Sequence, residues 1–255
     1  MITTHERLDH NEAVLTNHNA ETPVERLRRL DWRTLQEELD TQGSTILKGV
    51  LSAGDCSSIA QLYSDEEAFR SRVIMSRHGF GRGEYKYFAY PLPEIVQSLR
   101  TELYTRLFAL ANRWNESMGV EVRYPEEHEA FIRRCHEAGQ ERPTPLLLQY
   151  GPGDYNCLHQ DLYGEHVFPI QVAFLLSEPG RDFTGGEFVL TEQRPRMQSR
   201  PEVVPLRQGD AVAFAVHRRP NRGSRGFYRV NLRHGVSRVR SGQRHVIGII
   251  FHDAK

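Results

Sequence analysis

The stretch that decides the fold runs from residue 146 to residue 161 and reads Leu146-Leu147-Leu148-Gln149-Tyr150-Gly151-Pro152-Gly153-Asp154-Tyr155-Asn156-Cys157-Leu158-His159-Gln160-Asp161. An apolar run passes through a Gly/Pro turn into a second short run, which ends in the pattern His-x-Asp. Residues i and i+2 of a strand point to the same face, so His159 and Asp161 can direct an imidazole and a carboxylate at one point. A second imidazole comes from His234, far downstream in Asn231-Leu232-Arg233-His234-Gly235-Val236.

Two imidazoles and one carboxylate are the residue types of a facial metal triad. Such a triad binds Fe(II) in non-heme oxygenases and leaves coordination positions open. The His-x-Asp pair alone is weak support, because the chain has 12 His and a single His is more often a surface or core residue. The ordered motifs around the pair strengthen the prediction that His159, Asp161 and His234 bind one Fe(II) at the catalytic centre.

Further motifs follow the His-x-Asp pair in a fixed order. They are Gly185-Gly186-Glu187-Phe188, Gly209-Asp210 before an apolar run, His234-Gly235-Val236 and Gly242-Gln243-Arg244. Together with Tyr150-x-x-Gly153, this order resembles the Fe(II)/2-oxoglutarate dioxygenases, in particular their prolyl 4-hydroxylase-like branch, over about residues 145–251. An earlier stretch reads Phe80-Gly81-Arg82-Gly83-Glu84-Tyr85-Lys86-Tyr87-Phe88. It is similar to a group of bacterial oxygenases that have been placed with the AlkB-type oxidative nucleic-acid demethylases.

The resemblance implies a mostly β fold with α-helices: a double-stranded β-helix, or jelly-roll barrel, with N-terminal buttressing helices. It implies that Fe(II), 2-oxoglutarate and O2 are needed to hydroxylate a substrate C–H bond, with succinate and carbon dioxide as co-products. It also implies that Arg244 holds the C5 carboxylate of 2-oxoglutarate, since a guanidinium can bind a carboxylate through two hydrogen bonds. Tyr150 is expected as a second 2-oxoglutarate ligand, with a core aromatic as the alternative. Arg238 and Arg240 are nearby cations that lack the Gly-x-Arg setting.

Two segments are candidates for contact with a substrate. The formal net charge is zero, but residues 215–244 contain nine Arg and no Asp or Glu, a field that favours an anionic partner. We therefore predict that a loop interrupted by Gly and Ser contacts phosphates through Arg218, Arg219, Arg222 and Arg225. The alternative is that these arginines are only solvated surface charges. The glycine-rich stretch over residues 79–83 predicts a flexible lid over the substrate that carries Arg82 and Lys86. The alternative is that the aromatic residues after it pack in the core.

The sequence leaves the substrate open. The Arg-rich segment favours an alkylated nucleic-acid base, whereas the prolyl-hydroxylase-like spacing around His234 and Arg244 favours a protein, a peptide or a free amino acid. The segment after Arg244 lacks the second Arg that AlkB-type enzymes lead one to expect, which weakens the nucleic-acid prediction. A cupin-like binding protein is the alternative outside the enzymes, but a degenerate site should have lost a ligand or the cofactor Arg.

The organisation predicted is a flexible tail over residues 1–20 and one dioxygenase domain over residues 21–255. Its helical and strand extension spans 21–144 and its jelly-roll core 145–251. The polar N-terminus does not read as a signal peptide, no apolar run is long enough to span a membrane, and the three Cys are widely spaced. These features predict a cytoplasmic protein without a membrane partner. They give no prediction of the oligomeric state.

Periodicity predicts the main elements. Helices are expected over residues 23–30, 31–39, 52–63, 65–72, 93–117 and 125–137. Strands are expected over residues 44–50, 145–150, 155–159, 168–176, 186–190, 202–206, 210–216, 227–233 and 245–251.

Overall fold

The computed structural model describes residues 21–224 and 226–255, so the predicted tail over residues 1–20 and Arg225 lie outside the described residues. The α-helices of this part are α1 (Pro23–Arg28), α2 (Trp32–Gln42), α3 (Ala53–Gln61), α4 (Glu94–Ser117) and α5 (His128–Glu137). The strands are β1 (Ser44–Leu47), β2 (Phe69–Ile74), β3 (Gly81–Arg82), β4 (Glu84–Phe88), β5 (Leu146–Tyr150), β6 (Tyr155–His159), β7 (Ile170–Leu175), β8 (Phe183–Gly185), β9 (Phe188–Gln193), β10 (Arg200–Val204), β11 (Ala211–Ala215), β12 (Arg218–Gly223), β13 (Gly226–Val236), β14 (Val239–Gly242) and β15 (Arg244–Ile249).

Most strands belong to two antiparallel sheets that enclose a shared apolar cluster. The major sheet has seven strands in the order β1-β11-β7-β15-β5-β4-β2. The minor sheet has the order β10-β9-β13-β6-β3, and β12 pairs with β13 as a hairpin. Neighbours in each sheet are mostly distant in sequence, as in a jelly roll. The predicted fold class is confirmed, although hydrogen bonds among the described strands do not close the two sheets into one ring.

Alternation along the central strands separates the two faces of the major sheet. In β7, Val172 packs toward the helices, whereas its neighbour Ala173 belongs to the cluster between the sheets. In β15, Val246 also belongs to the cluster between the sheets. Because side chains two residues apart share a face, Arg244 points into the same interior space.

The helices cover the outer face of the major sheet. In α4, the longest described helix, the buried side chains recur every three or four residues at Val96, Leu99, Leu103, Leu107, Ala111 and Trp114. They form one core with alternate side chains of the major sheet. The structure confirms this predicted helix. Ser52 is the N-cap of α3, and α2 ends at Gly43. No described helix combines the length and the apolar character that crossing a bilayer requires.

The predicted helix over residues 65–72 is wrong. A short 3-10 turn, Glu66–Ala68, is followed at once by β2. The ring of Phe69 stacks on Phe88 of β4, with 4.7 Å between the ring centroids. Cross-strand packing of this kind overrides the local helical pattern.

The predicted flexible lid over residues 79–83 is also corrected. Gly81 and Arg82 form β3, which pairs with Asn156 and Tyr155 of β6. A Cβ on Gly83 would lie 2.9 Å from the ring of Tyr150. These glycines therefore allow the chain to approach its neighbours closely, a role that differs from that of hinges.

A buried ion pair joins α4 to the C-terminal segment. Arg100 and Asp253 are both buried, and Arg100 Nη2 donates to Asp253 Oδ1 at 2.8 Å. The second carboxylate oxygen accepts from the hydroxyl of Tyr90 at 2.8 Å and lies 2.9 Å from His136 Nε2. Burial alone would raise the pKa of Asp253, but the charge of Arg100 and these hydrogen bonds hold it below its usual value.

We expect Arg100→Met to lower the free energy of unfolding by about 3 kcal/mol, because it leaves the Asp253 carboxylate buried without its charged partner. Urea unfolding followed by circular dichroism measures the change. Arg106→Met is the matched control on the same helix, since Arg106 forms a partly exposed pair with Glu102. Its loss should cost less than about 1 kcal/mol. Equal losses in the two variants would contradict this account of the buried pair.

Candidate active site

A β-bulge between β6 and β13 shapes the site. His159 pairs with His234, and Asn156 pairs with Val236, so a step of three residues on β6 faces a step of two on β13. The extra residue lets Asn156 and His159 line the same cavity. A Cβ on Gly235 would lie 2.7 Å from the Asn156 carbonyl oxygen, which explains the glycine after His234.

The three predicted metal ligands lie together. One donor atom from each of His159, Asp161 and His234 lies within 4.8 Å of the others. Asp161 Oδ1 is 3.4 Å from His159 Nε2, and Asp161 Oδ2 is 3.4 Å from His234 Nε2. His159 Nδ1 donates to the carbonyl oxygen of Cys157 at 2.8 Å, so Nε2 is the nitrogen directed at Asp161. The arrangement can offer two imidazole nitrogens and a carboxylate to one ion.

Burial and mutual contacts set the protonation of this cluster. Burial lowers the pKa of His234 below its ordinary value. Burial also acts to lower the pKa of His159, but the hydrogen bond and charge of Asp161 outweigh it and raise the pKa. Burial acts to raise the pKa of Asp161, but the hydrogen bonds and charges of the two imidazoles hold it well below its usual range. A neutral His234 and an ionised Asp161 are the forms that bind a metal.

The triad opens onto a cavity of about 210 Å³ between the two sheets. Most of the wall is apolar, and Phe188 and Phe214 pack on the ring of His234. Arg244 and Tyr150 line the same cavity and are cross-strand partners on β15 and β5. The guanidinium carbon of Arg244 is 5.6 Å from the centroid of the Tyr150 ring. The predicted cofactor residues are therefore in the same cavity as the predicted metal ligands.

The unpartnered polar atoms of this cavity fit a dicarboxylate. Among the described residues, neither Nε nor Nη1 of Arg244 has a hydrogen-bond partner, and the hydroxyl of Tyr150 has none. Burial lowers the pKa of Arg244 to about 10, so it remains a cation at neutral pH. A buried cation without an acidic partner is unfavourable, and a carboxylate from outside would supply one. The donor set thus fits Fe(II) at the triad and 2-oxoglutarate between the triad and Arg244.

Lys86 does not reach the cavity. It is buried on the opposite face of β4 from the cavity-lining Tyr85, as strand alternation requires. Its Nζ donates to Glu66 Oε1 at 2.6 Å and lies 4.7 Å from the centroid of the Tyr63 ring. The prediction of a lid cation is corrected: Lys86 is bound within the fold.

The Arg-rich segment is a hairpin, which corrects the prediction of a loop. Arg219 points inward from β12, is fully buried and donates to the carboxylate of Glu192 and to the carbonyl of Asp40. It cannot contact a substrate in this position. The segment itself contains no acidic residue, but Glu192 of β9, outside it, pairs with Arg219.

Other predicted substrate contacts remain on the surface. Arg218 and Arg222 are exposed on the outer face of the hairpin, and Arg218 borders a groove together with Leu162, next to Asp161. Arg82 is exposed and lies 3.8 Å from Asp154, outside the cavity lining. Arg225 lies outside the described residues.

The structure adds site residues that sequence reasoning missed. The hydroxyl of Tyr163 donates to Asp161 Oδ1 at 2.8 Å. Asn156 enters the cavity through the bulge, and Phe80 lines its mouth with about half of its surface exposed. Tyr163 stands two residues after Asp161, a spacing that could have indicated it; a bulge leaves no comparable signal.

We expect Asp161→Ala to abolish Fe(II) binding and turnover, because it removes the anionic ligand of the triad. Anaerobic calorimetric titration with Fe(II) measures the affinity. Asp154→Ala is the control, since Asp154 accepts from the Gly151 N–H in the turn before β6 and is no member of the cluster. Undiminished Fe(II) affinity in Asp161→Ala would refute the assignment.

We expect Arg244→Met to raise the KM for 2-oxoglutarate about 10- to 100-fold, because a charge-assisted hydrogen bond contributes about 1.5–3 kcal/mol. Initial rates of succinate formation at varied 2-oxoglutarate give the constant. Arg238→Met and Arg240→Met, at exposed positions nearby, are the controls. An unchanged KM in Arg244→Met, with a raised KM in a control, would move the role to that residue.

Comparison with known proteins identifies a family that this chain matches. Residues 83–254 match the model of the Oxygenase-NA family, described as an oxygenase catalysing oxidative methylation of damaged DNA. An uncharacterized protein of Mycobacterium tuberculosis is 48% identical over 167 residues, which cover 66% of this chain and 72% of that protein.

Solved structures share the fold. A prolyl 4-hydroxylase of Pseudomonas putida aligns with a TM-score of 0.50 and 14% identity, covering 88% of this chain and 99% of that one. A 2OG-Fe(II) oxygenase family oxidoreductase of Burkholderia pseudomallei aligns with a TM-score of 0.52 and 16% identity, covering 89% and 94%. Because the family match covers most of the chain and includes the triad and Arg244, the protein belongs to this family of oxygenases, and its site contains the residue types that an Fe(II)- and 2-oxoglutarate-dependent dioxygenase needs.

Proposed function

We propose that the protein hydroxylates N-alkyl groups of damaged nucleic acid and thereby removes them. The single observation that carries the reaction is the placement of the triad and an unpartnered buried cation, Arg244, in one cavity. The family description, which names damaged DNA, supports the substrate.

The roles of the residues follow from their positions. When Fe(II), 2-oxoglutarate and O2 are bound, one oxygen atom enters a substrate C–H bond and the other enters succinate, with release of carbon dioxide. His159, Asp161 and His234 would hold the metal, while Arg244 and Tyr150 would orient the co-substrate. The apolar wall around them excludes water from the reacting groups. On an N-methyl group, the hydroxylated product breaks down to the free amine and formaldehyde.

The charge on the outer face of the β12–β13 hairpin is evidence for an anionic partner. Arg218, Arg222 and Arg233 are exposed there, because strand alternation turns them away from the buried side of β12 and β13. Within the described part of the chain, none of the three has an ion-pair partner. Phosphate contacts of this kind hold a nucleic acid in place without reading its sequence.

The residues at the mouth of the cavity are suited to bind a planar apolar group. Phe80 lines the cavity and its ring stacks on that of His78, with 5.3 Å between the centroids. Aromatic and apolar surfaces of this kind suit an unstacked base.

We expect the triple variant Arg218→Ala/Arg222→Ala/Arg233→Ala to bind oligonucleotides of any sequence more weakly. The slope of log affinity against log salt should fall by about 0.7 per lost contact with single strands. Fluorescence anisotropy over a salt series measures both quantities. Uncoupled 2-oxoglutarate turnover should stay nearly unchanged, because these side chains lie outside the cavity.

The control is Arg29→Ala/Arg113→Ala/Arg133→Ala, which removes the same charge from exposed positions just after α1, on α4 and on α5. Equal weakening by both triple variants would indicate an effect of net charge alone.

The decisive assay offers methylated oligonucleotides and peptides to the wild-type protein and measures succinate and formaldehyde. Formaldehyde in step with succinate supports the proposal. If the protein instead shows no salt-dependent binding to oligonucleotides and incorporates oxygen into a peptide or amino acid, the second candidate, an amino-acid hydroxylase, is established.

We also propose that residues 21–255 act as one domain in the cytoplasm. The helices and the major sheet share a single core. Cys56, Cys135 and Cys157 are free thiols, which suits a reducing compartment that keeps iron as Fe(II).

A further inference from the structure

We propose that Gln140 is a positioning residue for the metal site, because its buried amide fixes the loop that carries Asp161. The inference rests on the proposed metal site. Residues 160–169 of this loop lie outside any helix or strand. Their main-chain groups therefore need other partners, and Gln140, which follows α5 and is fully buried, supplies several.

Both ends of the Gln140 amide bind the loop. Its Oε1 accepts from the N–H groups of Glu165 at 2.9 Å and His166 at 2.8 Å. Its Nε2 donates to the carbonyl oxygens of Tyr163 at 3.3 Å and His166 at 3.1 Å, and also to that of Asp253. One side chain thus ties the loop to α5 and to the C-terminal segment.

The loop is folded tightly around this amide. Gly164 has a φ of 85°, in the left-handed region that favours glycine. A Cβ on Gly164 would lie 2.8 Å from Gln140 Oε1. Any side chain at this position would strain the backbone and displace the amide.

Tyr163 connects the amide to the metal ligand. Gln140 binds the main chain of Tyr163, and the hydroxyl of Tyr163 donates to Asp161 Oδ1. The other oxygen, Oδ2, faces His234 Nε2. Tyr163 therefore occupies one carboxylate oxygen and leaves the other directed at the second imidazole. Partners of this kind orient metal ligands, and their loss typically weakens metal binding about 10- to 100-fold.

A buried amide could instead serve stability alone, and metal affinity separates the two roles. We would titrate the metal-free protein with Co(II), a spectroscopic probe for the Fe(II) site, and measure thermal unfolding of the same samples. The variants are Gln140→Leu, which removes every amide bond, and Tyr163→Phe, which removes only the hydroxyl. The control is Asp210→Ala, because buried Asp210 holds the N–H groups of Gly49 and Arg207 and is not among the residues around the triad.

Gln140→Leu and Tyr163→Phe should each raise the Kd for Co(II) about ten-fold or more. Asp210→Ala should lower the unfolding temperature and leave the Kd unchanged. If Gln140→Leu does not fold, Gln140→Glu, which keeps the shape and loses the donors, replaces it. A wild-type Kd in the Gln140 variant, or equal weakening in Asp210→Ala, would overturn the positioning role. Failure of the wild-type protein to bind Co(II) would instead remove the metal site itself.

Discussion

The antiparallel pairing of β13 with β6 is the constraint on which the site depends. It sets His234 opposite His159, so two residues far apart in sequence bring their rings to 4.2 Å between centroids. The same register sends alternate β13 side chains outward, among them Arg233. A slip of one residue would turn His234 to the surface and would bury Arg233 in its place. The register thus fixes the positions of the predicted metal ligands and of the exposed arginines together.

Three buried arginines show how charge distinguishes structure from function. Arg100, Arg219 and Arg244 are almost fully buried. Arg100 is paired with Asp253, and Arg219 with Glu192. Arg244 has no such partner among the described residues and faces the cavity that the triad lines. A desolvated guanidinium is costly without a counter-charge, so the fold leaves a place that an anionic ligand fills. This contrast supports the co-substrate role of Arg244 more strongly than the Gly-x-Arg motif does.

Sequence predicted those features that depend on local patterns. The core strands, α4 and the predicted cofactor residues Tyr150 and Arg244 follow from alternation, helical periodicity and motif order, and the structure brings the last two together as cross-strand partners. Features that depend on tertiary pairing were missed. Arg219 reads as one more cation of an Arg-rich stretch, and only its position opposite Glu192 of β9 shows that it is structural. Gln140 carries no motif, because its role arises from a loop that folds around it.

If the substrate is a nucleic acid, as proposed, the positions of the arginines limit how it could reach the predicted metal triad. Arg233 and His234 are neighbours on β13 and point to opposite faces of the minor sheet. A strand held on the outer face must therefore pass an edge of this sheet before a base enters the cavity. The groove bordered by Arg218 and Leu162 lies at such an edge, between the arginine face and the loop of Asp161. Backbone contacts would then fix the position of the strand, while selection among damaged bases would take place in the cavity, which Phe80 and Asn156 line.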